Sequence, residues 1–208
     1  MNDLNFLRTK NHFCYGENSL DFWLQIIHDQ GSLIRAFSST NKHTPFTHYP
    51  LNDFNTENKL IQYYYHSHRG NSEHGHIHVF FKQVLSTELT HYIAIGMTNK
   101  GLPISLFTVN PDTVNEPSII PSKQISEISS KVIGYSENDT CLTKWLISFL
   151  LFYKDKIEDL LNERQESLND YQRSIKKEKE ILSSEAIDWE NDLQESEKRH
   201  SLQRSNQS

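Results

Sequence analysis

The apolar positions of the chain change period twice. From Ser19, the residues Leu20, Trp23, Ile26 and Ile27 recur at helical spacing, with Ser19 placed to cap that helix and Gly31 to end it. A short piece, Leu33 to Phe37, follows. Residues 61–109 then alternate at the two-residue period of strands, in runs at 61–68, 74–84, 89–98 and 102–109. The connections between these runs are short, so an antiparallel meander is expected rather than parallel crossovers. Thr98-Asn99-Lys100-Gly101 carries the Asn and Gly of a tight turn, and pairing across it aligns Ile93, Ile95 and Met97 with Leu102, Ile104 and Leu106. Extended backwards, this register adds Ile77, Val79 and Phe81 to the same apolar face. It assigns His91 to that face too, and Tyr92, Ala94, Gly96 and Ser105 to the opposite one, where the small residues leave room for a ligand.

Helical period returns at Ser122–Lys131 and most strongly at Thr140–Leu161, where Leu142, Trp145, Leu146, Phe149, Leu150, Tyr153 and Ile157 form one broad face. Residues 38–60, rich in Ser, Thr, Asn and Pro, read as an ordered loop. Beyond Glu163 the chain is charged and lacks Gly and Pro, with Leu161, Leu168, Ile175, Leu182 and Trp189 spaced by seven. The companion positions Arg164, Tyr171, Glu178 and Glu185 are mostly polar, too narrow a seam for a coiled coil, so a long solvated helix that adds nothing to a site is expected. The predicted class is α+β: an antiparallel meander of about four strands packed by helices from both termini. Residues 1–162 form the domain and residues 163–208 a charged helical tail with a disordered end.

At 208 residues and a net charge of −6, the chain has no basic footprint for nucleic acid and no Lys/Arg block for an anionic membrane surface. The apolar run Trp145–Tyr153 falls well short of the ~20 residues that cross a bilayer, and the N-terminus does not read as a signal peptide. Cys14 and Cys141 show neither metal-ligand spacing nor a disulfide framework. A cytoplasmic protein is expected, with self-association through the C-terminal helix as its candidate protein contact.

The chemistry concentrates in Ile61–Phe81, which holds five of the eleven histidines in the pattern HxH, five residues, HxHxH. With Arg69–Glu73 as the loop of a β-hairpin, His66 falls opposite His76 and Tyr64 opposite His78, and His66, His68, His74, His76 and His78 share one face. Crowded imidazoles repel one another once protonated, which costs stability unless something uses them. Neutral imidazoles on adjacent strands suit a transition metal (Zn, Fe, Ni or Cu) rather than Mg or Ca. Four could close a structural site, whereas three plus water leave a position open for chemistry. Glu73 is a candidate ligand, ligand partner or catalytic base. His48 and Asp53 are candidates for a further ligand and the carboxylate that orients an imidazole. Arg69 beside the cluster suits a small anionic substrate.

Three resemblances attach to these residues. His66-Ser67-His68, then Glu73 after four more residues, resembles the first half of the cupin metal motif; the second half is not found. His74-Gly75-His76-Ile77-His78-Val79-Phe80 resembles the histidine-triad motif of nucleotide hydrolases and transferases, which implies His76 as a covalent nucleophile. Over roughly residues 45–165 the chain resembles an uncharacterised bacterial family carrying HYPxxD, YYYHxHR…EHGHxH, an AIGM-like strand and an LLxxR helix. The matching residues are His48-Tyr49-Pro50 with Asp53, Tyr63–Arg69, Glu73–His78, Ala94–Met97 and Leu160–Arg164. That family brings no assigned activity. Three readings stand: a metal-dependent enzyme with Glu73 and His76 at its centre, a histidine-triad-like nucleotide hydrolase or transferase, and a non-enzymatic metal-binding or interaction protein.

Overall fold

A computed structural model describes residues 12–38, 43–70, 72–82, 88–116, 118–173 and 179–205. Its centre is a six-stranded antiparallel sheet in sequence order: β1 (Tyr49–Asn55), β2 (Ile61–His66), β3 (Gly75–Lys82), β4 (Leu89–Met97), β5 (Pro103–Val109) and β6 (Ile181–Ala186). Six α-helices accompany it among the described residues: α1 (His12–Gln30), α2 (Leu33–Phe37), α3 (Ser122–Val132), α4 (Cys141–Phe152), α5 (Lys154–Arg173) and α6 (Trp189–Ser205). The class is α+β. The hairpin register is the one the histidine spacing requires, with Tyr64 paired to His78 and His66 to His76.

One sheet face carries Ile61, Tyr63, Tyr65, Ile77, Val79, Phe81, Ile93, Ile95, Met97 and Leu106, all buried in a single core with Trp145, Leu146, Phe149 and Leu150 of α4. Thr140 starts α4 by accepting a hydrogen bond from the Thr143 amide at 3.1 Å, satisfying one of the free donors of the first turn. The helix expected from Ser19 begins at His12 instead, and the Ser19 hydroxyl donates to the Gly16 carbonyl inside it. Gly31, at φ +80°, ends α1 as expected, its amide donating to the Ile27 carbonyl.

Two strands are additions to the expected four. β1 lies in the stretch read as loop, where its register breaks between Tyr49 and Phe54 and Leu51 is 81 % exposed, so no alternation survives to be read. β6 lies in the tail. The polar helix expected over residues 163–196 is corrected to the end of α5, the strand β6 and the start of α6. Helix propensity there yields to the open edge of β5. β6 pairs along that edge from Ser105–Ala186 to Val109–Ile181, Ser183 Oγ lies 2.6 Å from Thr108 Oγ1, and Ser183 Oγ donates to the Leu160 carbonyl at 2.7 Å. Leu168, Leu182 and Trp189 of the seven-residue stripe are buried, in three different elements; Ile175 lies outside the described residues.

The second correction is a β-bulge. β3 and β4 pair Val79 with Ile93 but Phe80 with His91, so one residue of β4 is unmatched and the faces of residues 91 and 92 exchange. Tyr92 joins the core against Phe81, and His91 turns to the histidine face.

Removal of the chain after Gln165, which the sequence pattern presents as harmless, should therefore unfold or strongly destabilise the protein. Trp189, 3 % exposed and packed edge-on against Trp23 at 5.6 Å, ties the C-terminal segment to α1. Trp189→Ala should cost about 3–5 kcal/mol in denaturant unfolding. A loss below about 1 kcal/mol would mean that α6 docks without it.

Candidate metal centre

His66 leaves β2 and His76 and His78 leave β3 on the same face, and the pairing of residue 66 with residue 76 brings their ring nitrogens to a point. His66 Nε2 lies 2.6 Å from His76 Nε2 and 3.1 Å from His78 Nε2. All three residues are buried, each offers a ring nitrogen within 4.8 Å of the other two, and together they can hold one metal ion. Tetrahedral coordination at about 2.0–2.1 Å from nitrogen places ligand nitrogens roughly 3.3 Å apart, so small ring rotations suffice to admit an ion.

The outer nitrogens of two of these rings are engaged. His76 Nδ1 is pressed against Glu73 Oε1 in a short hydrogen bond. His78 Nδ1 lies 2.9 Å from His91 Nε2. Glu73 is itself buried, with Arg69 Nη1 at 3.5 Å from its carboxylate and the Arg69 guanidinium over the Phe107 ring at 5.0 Å. The space expected over Gly96 is taken: a Cβ there would lie 2.6 Å from Glu73 Oε2. Glycine here leaves the space that the Ser105 hydroxyl and the Glu73 carboxylate fill, so the room serves protein side chains rather than a ligand. Ala94 likewise packs with Phe107 and Val109.

The open side lies elsewhere. A cavity of about 430 Å³ is lined by His66, His68 and His78, by Phe46 and Tyr64, by Asn110 and Asp112–Val114 and by Lys179 and Glu180. Its size suits a small molecule. His68 is near the three imidazoles but apart from their meeting point, its ring 4.8 Å from that of His66, stacked on Phe46 at 4.7 Å and with Nε2 3.8 Å from Glu180. His74 departs from the expected five-imidazole face. It precedes β3, where the pleat does not yet govern direction, and its Nδ1 lies 2.6 Å from the Tyr65 hydroxyl. His48 and Asp53 form a pair at 3.0 Å, with Gln62 donating to the other carboxylate oxygen at 2.7 Å. The His48 ring stacks on Tyr64 at 3.6 Å, a wall of the cavity, and its centroid is 6.0 Å from that of His66.

Burial controls the electrostatics. It lowers His66 to about 2, with the neighbouring imidazoles His76, His68 and His48 adding to the effect. It lowers His76 and His91 to about 3 and His78 well below the ordinary value. Desolvation raises Glu73 to about 7 against the opposing pull of Arg69. The cluster is therefore built from neutral imidazoles, the protonation state a metal requires.

The family model for a domain of unknown function, DUF6969, matches residues 21–189. The chain belongs to this family. The matched span of the DUF6969 domain includes every residue of the centre together with β6 and Trp189. No curated protein and no solved structure matches the chain.

Sequence reasoning missed His91, which parity alone assigned to the wrong face, and the cavity wall formed by Asn110, Asp112–Val114, Lys179 and Glu180, which no local pattern marks. No helix among the described residues of this DUF6969 chain is long and apolar enough to cross a membrane.

A pH dependence follows for the metal-free protein. The unfolded chain takes up protons on these imidazoles near pH 6.5, while folded His66, His76, His78 and His91 stay neutral to far lower pH, so their contribution to stability is lost as pH falls below about 6.5. Glu73 and Glu116, both raised to about 7, act in the opposite sense; their contribution is full below about 4.5 and lost as pH rises through 7. Four imidazoles outweigh two carboxyls. Thermal melts in EDTA should show the melting temperature falling between pH 7 and pH 5, and a flat profile would contradict neutral burial of the cluster.

Proposed function

We propose that this protein is a transition-metal protein whose single ion is bound by the Nε2 atoms of His66, His76 and His78, with a fourth position open to the 430 Å³ cavity. The convergence of three buried imidazole nitrogens, one of them backed by the Glu73 carboxylate, carries this reading. A carboxylate on the outer nitrogen of a ligand histidine fixes its tautomer and makes the metal-facing nitrogen more basic. Glu73 is thus the tether of His76 rather than a base acting in the cavity.

Zn, Fe, Ni and Cu all accept such a ligand set, and Mg and Ca do not. Three histidines and an open position favour chemistry on a metal-bound water or substrate over a closed structural site. Within the cavity, His68 with Glu180 stands where a proton could be exchanged with such a water, and Lys179 offers positive charge to a small anionic substrate. Arg69 is committed to Glu73 and Phe107. A covalent role for His76 is disfavoured because its ring is fully buried, is absent from the cavity wall, and has both nitrogens occupied by Glu73 and His66.

Calorimetric titration of untagged protein with Zn²⁺, Co²⁺, Ni²⁺ and Fe²⁺ tests the proposal. One ion should bind per chain, release protons and raise the melting temperature. Binding should be abolished in His66→Ala/His76→Ala and weakened about 10–100-fold in Glu73→Gln. Wild-type affinity no tighter than that of the double variant would refute it.

A further inference from the structure

Behind the three imidazoles lies a buried polar group that coordination alone does not explain. His91 is 2 % and Arg164 1 % exposed, and the Glu116 side chain is 2 % exposed. Arg164 Nη1 donates to the Ile120 carbonyl at 3.1 Å, while its Nη2 stands 3.8 Å from Glu116 Oε2. Neither Glu116 oxygen, nor Arg164 Nη2, nor His91 Nδ1 has a hydrogen-bond partner of ordinary geometry among the described residues. The three side chains are neighbours: the His91 backbone amide acts on the Glu116 carboxylate, and the Arg164 charge acts on the His91 ring. A buried ion pair without good hydrogen-bond geometry contributes little to stability compared with apolar residues of the same size. Its presence here calls for another role.

The valence of the histidines supplies one. A neutral imidazole carries a single N–H. If His78 gives the lone pair of Nε2 to a metal, its proton is on Nδ1 and needs an acceptor, and His91 Nε2 is the atom 2.9 Å away. His91 can accept only if its own proton is on Nδ1, the buried nitrogen on the other side of the ring. A carboxylate in that neighbourhood stabilises the Nδ1–H form, and the arginine beside it favours its charged state against the burial that opposes it.

We infer that His91 is a positioning residue for the ligand His78, held in its Nδ1–H tautomer by the buried pair Glu116 and Arg164. The inference rests on the metal reading above. The centre is then tethered twice, from Glu73 directly to His76 and from Glu116 and Arg164 through His91 to His78. Arg164 and Glu116 lie outside the sheet, on α5 and in the segment before α3, so these two elements become part of the metal site without touching the ion.

Nitrogen-15 spectra of the full chain loaded with Zn²⁺ distinguish the two histidine tautomers and report a feature that simple packing would not set. His91 should appear as the Nδ1–H form. Zinc affinity should fall about 10–100-fold in His91→Phe, which removes the acceptor, and recover to within a few-fold of wild type in His91→Gln, whose amide oxygen can accept from His78. Glu116→Gln should shift the His91 tautomer population toward Nε2–H. An Nε2–H His91 in the zinc-loaded wild type overturns this inference alone, as does His91→Phe binding zinc as tightly as wild type. A wild-type chain that takes no zinc overturns both readings.

Discussion

Three buried neutral imidazoles facing one another are a constraint that the rest of the structure answers. Each ring has one proton and one lone pair, and where an outer nitrogen donates to an acceptor such as the Glu73 carboxylate, the inner nitrogen is left with a lone pair alone. Lone pairs 2.6 and 3.1 Å apart repel unless a proton or a cation lies between them. Protonation is opposed by desolvation, which depresses all three rings. A divalent ion would satisfy all three at once.

The fold supplies the geometry through backbone rules. Antiparallel pairing with residue 66 opposite residue 76 brings one imidazole from each strand across the hairpin, and the period of two within β3 adds His78 on the same face. The other face of these strands packs on α4, so the imidazoles stand on a sheet whose back is locked into the larger core cluster of the described residues. Rigid strands hold ligand positions more closely than loops do. Loops then finish the site. The chain between β2 and β3 turns back so that Glu73 reaches His76 over the bare α-carbon of Gly96, and residues 110, 112–114 and 179–180 close the cavity around the open side.

The same sheet therefore does two jobs with opposite chemistry. Its apolar face is protected by α4 and the helices packed with it, whereas among the described residues its histidine face carries the small cluster of Ala94, Phe107 and Val109 with Val114 and Ile181, and the rings of Tyr64 and Phe80 beside the imidazoles. The bulge in β4 separates these roles locally. By exchanging residues 91 and 92 it buries a tyrosine where apolar packing is needed and delivers a histidine to the outer nitrogen of His78. Strand edges follow the same division, since β6 both completes the pairing of β5 and places Lys179 and Glu180 at the cavity.

By itself the sequence determined what depends on short-range periodicity: the α+β class, the central meander, its apolar face, the hairpin register and the grouping of His66, His76 and His78. Each follows from alternation that survives because successive residues of a regular strand must face opposite sides. Only the tertiary structure decided the rest. A bulge reverses parity without leaving a mark in the pattern, so His91 could not be placed from its number. β1 and β6 exist because open sheet edges accept partners of poor strand propensity, a demand made by distant residues. His74 turns to Tyr65, Glu73 fills the space over Gly96, and the cavity wall comes from residues roughly thirty to forty-five positions from the histidines in the case of Asn110 and about a hundred in the case of Lys179, because closing a pocket depends on which segments meet in space and not on what each one is.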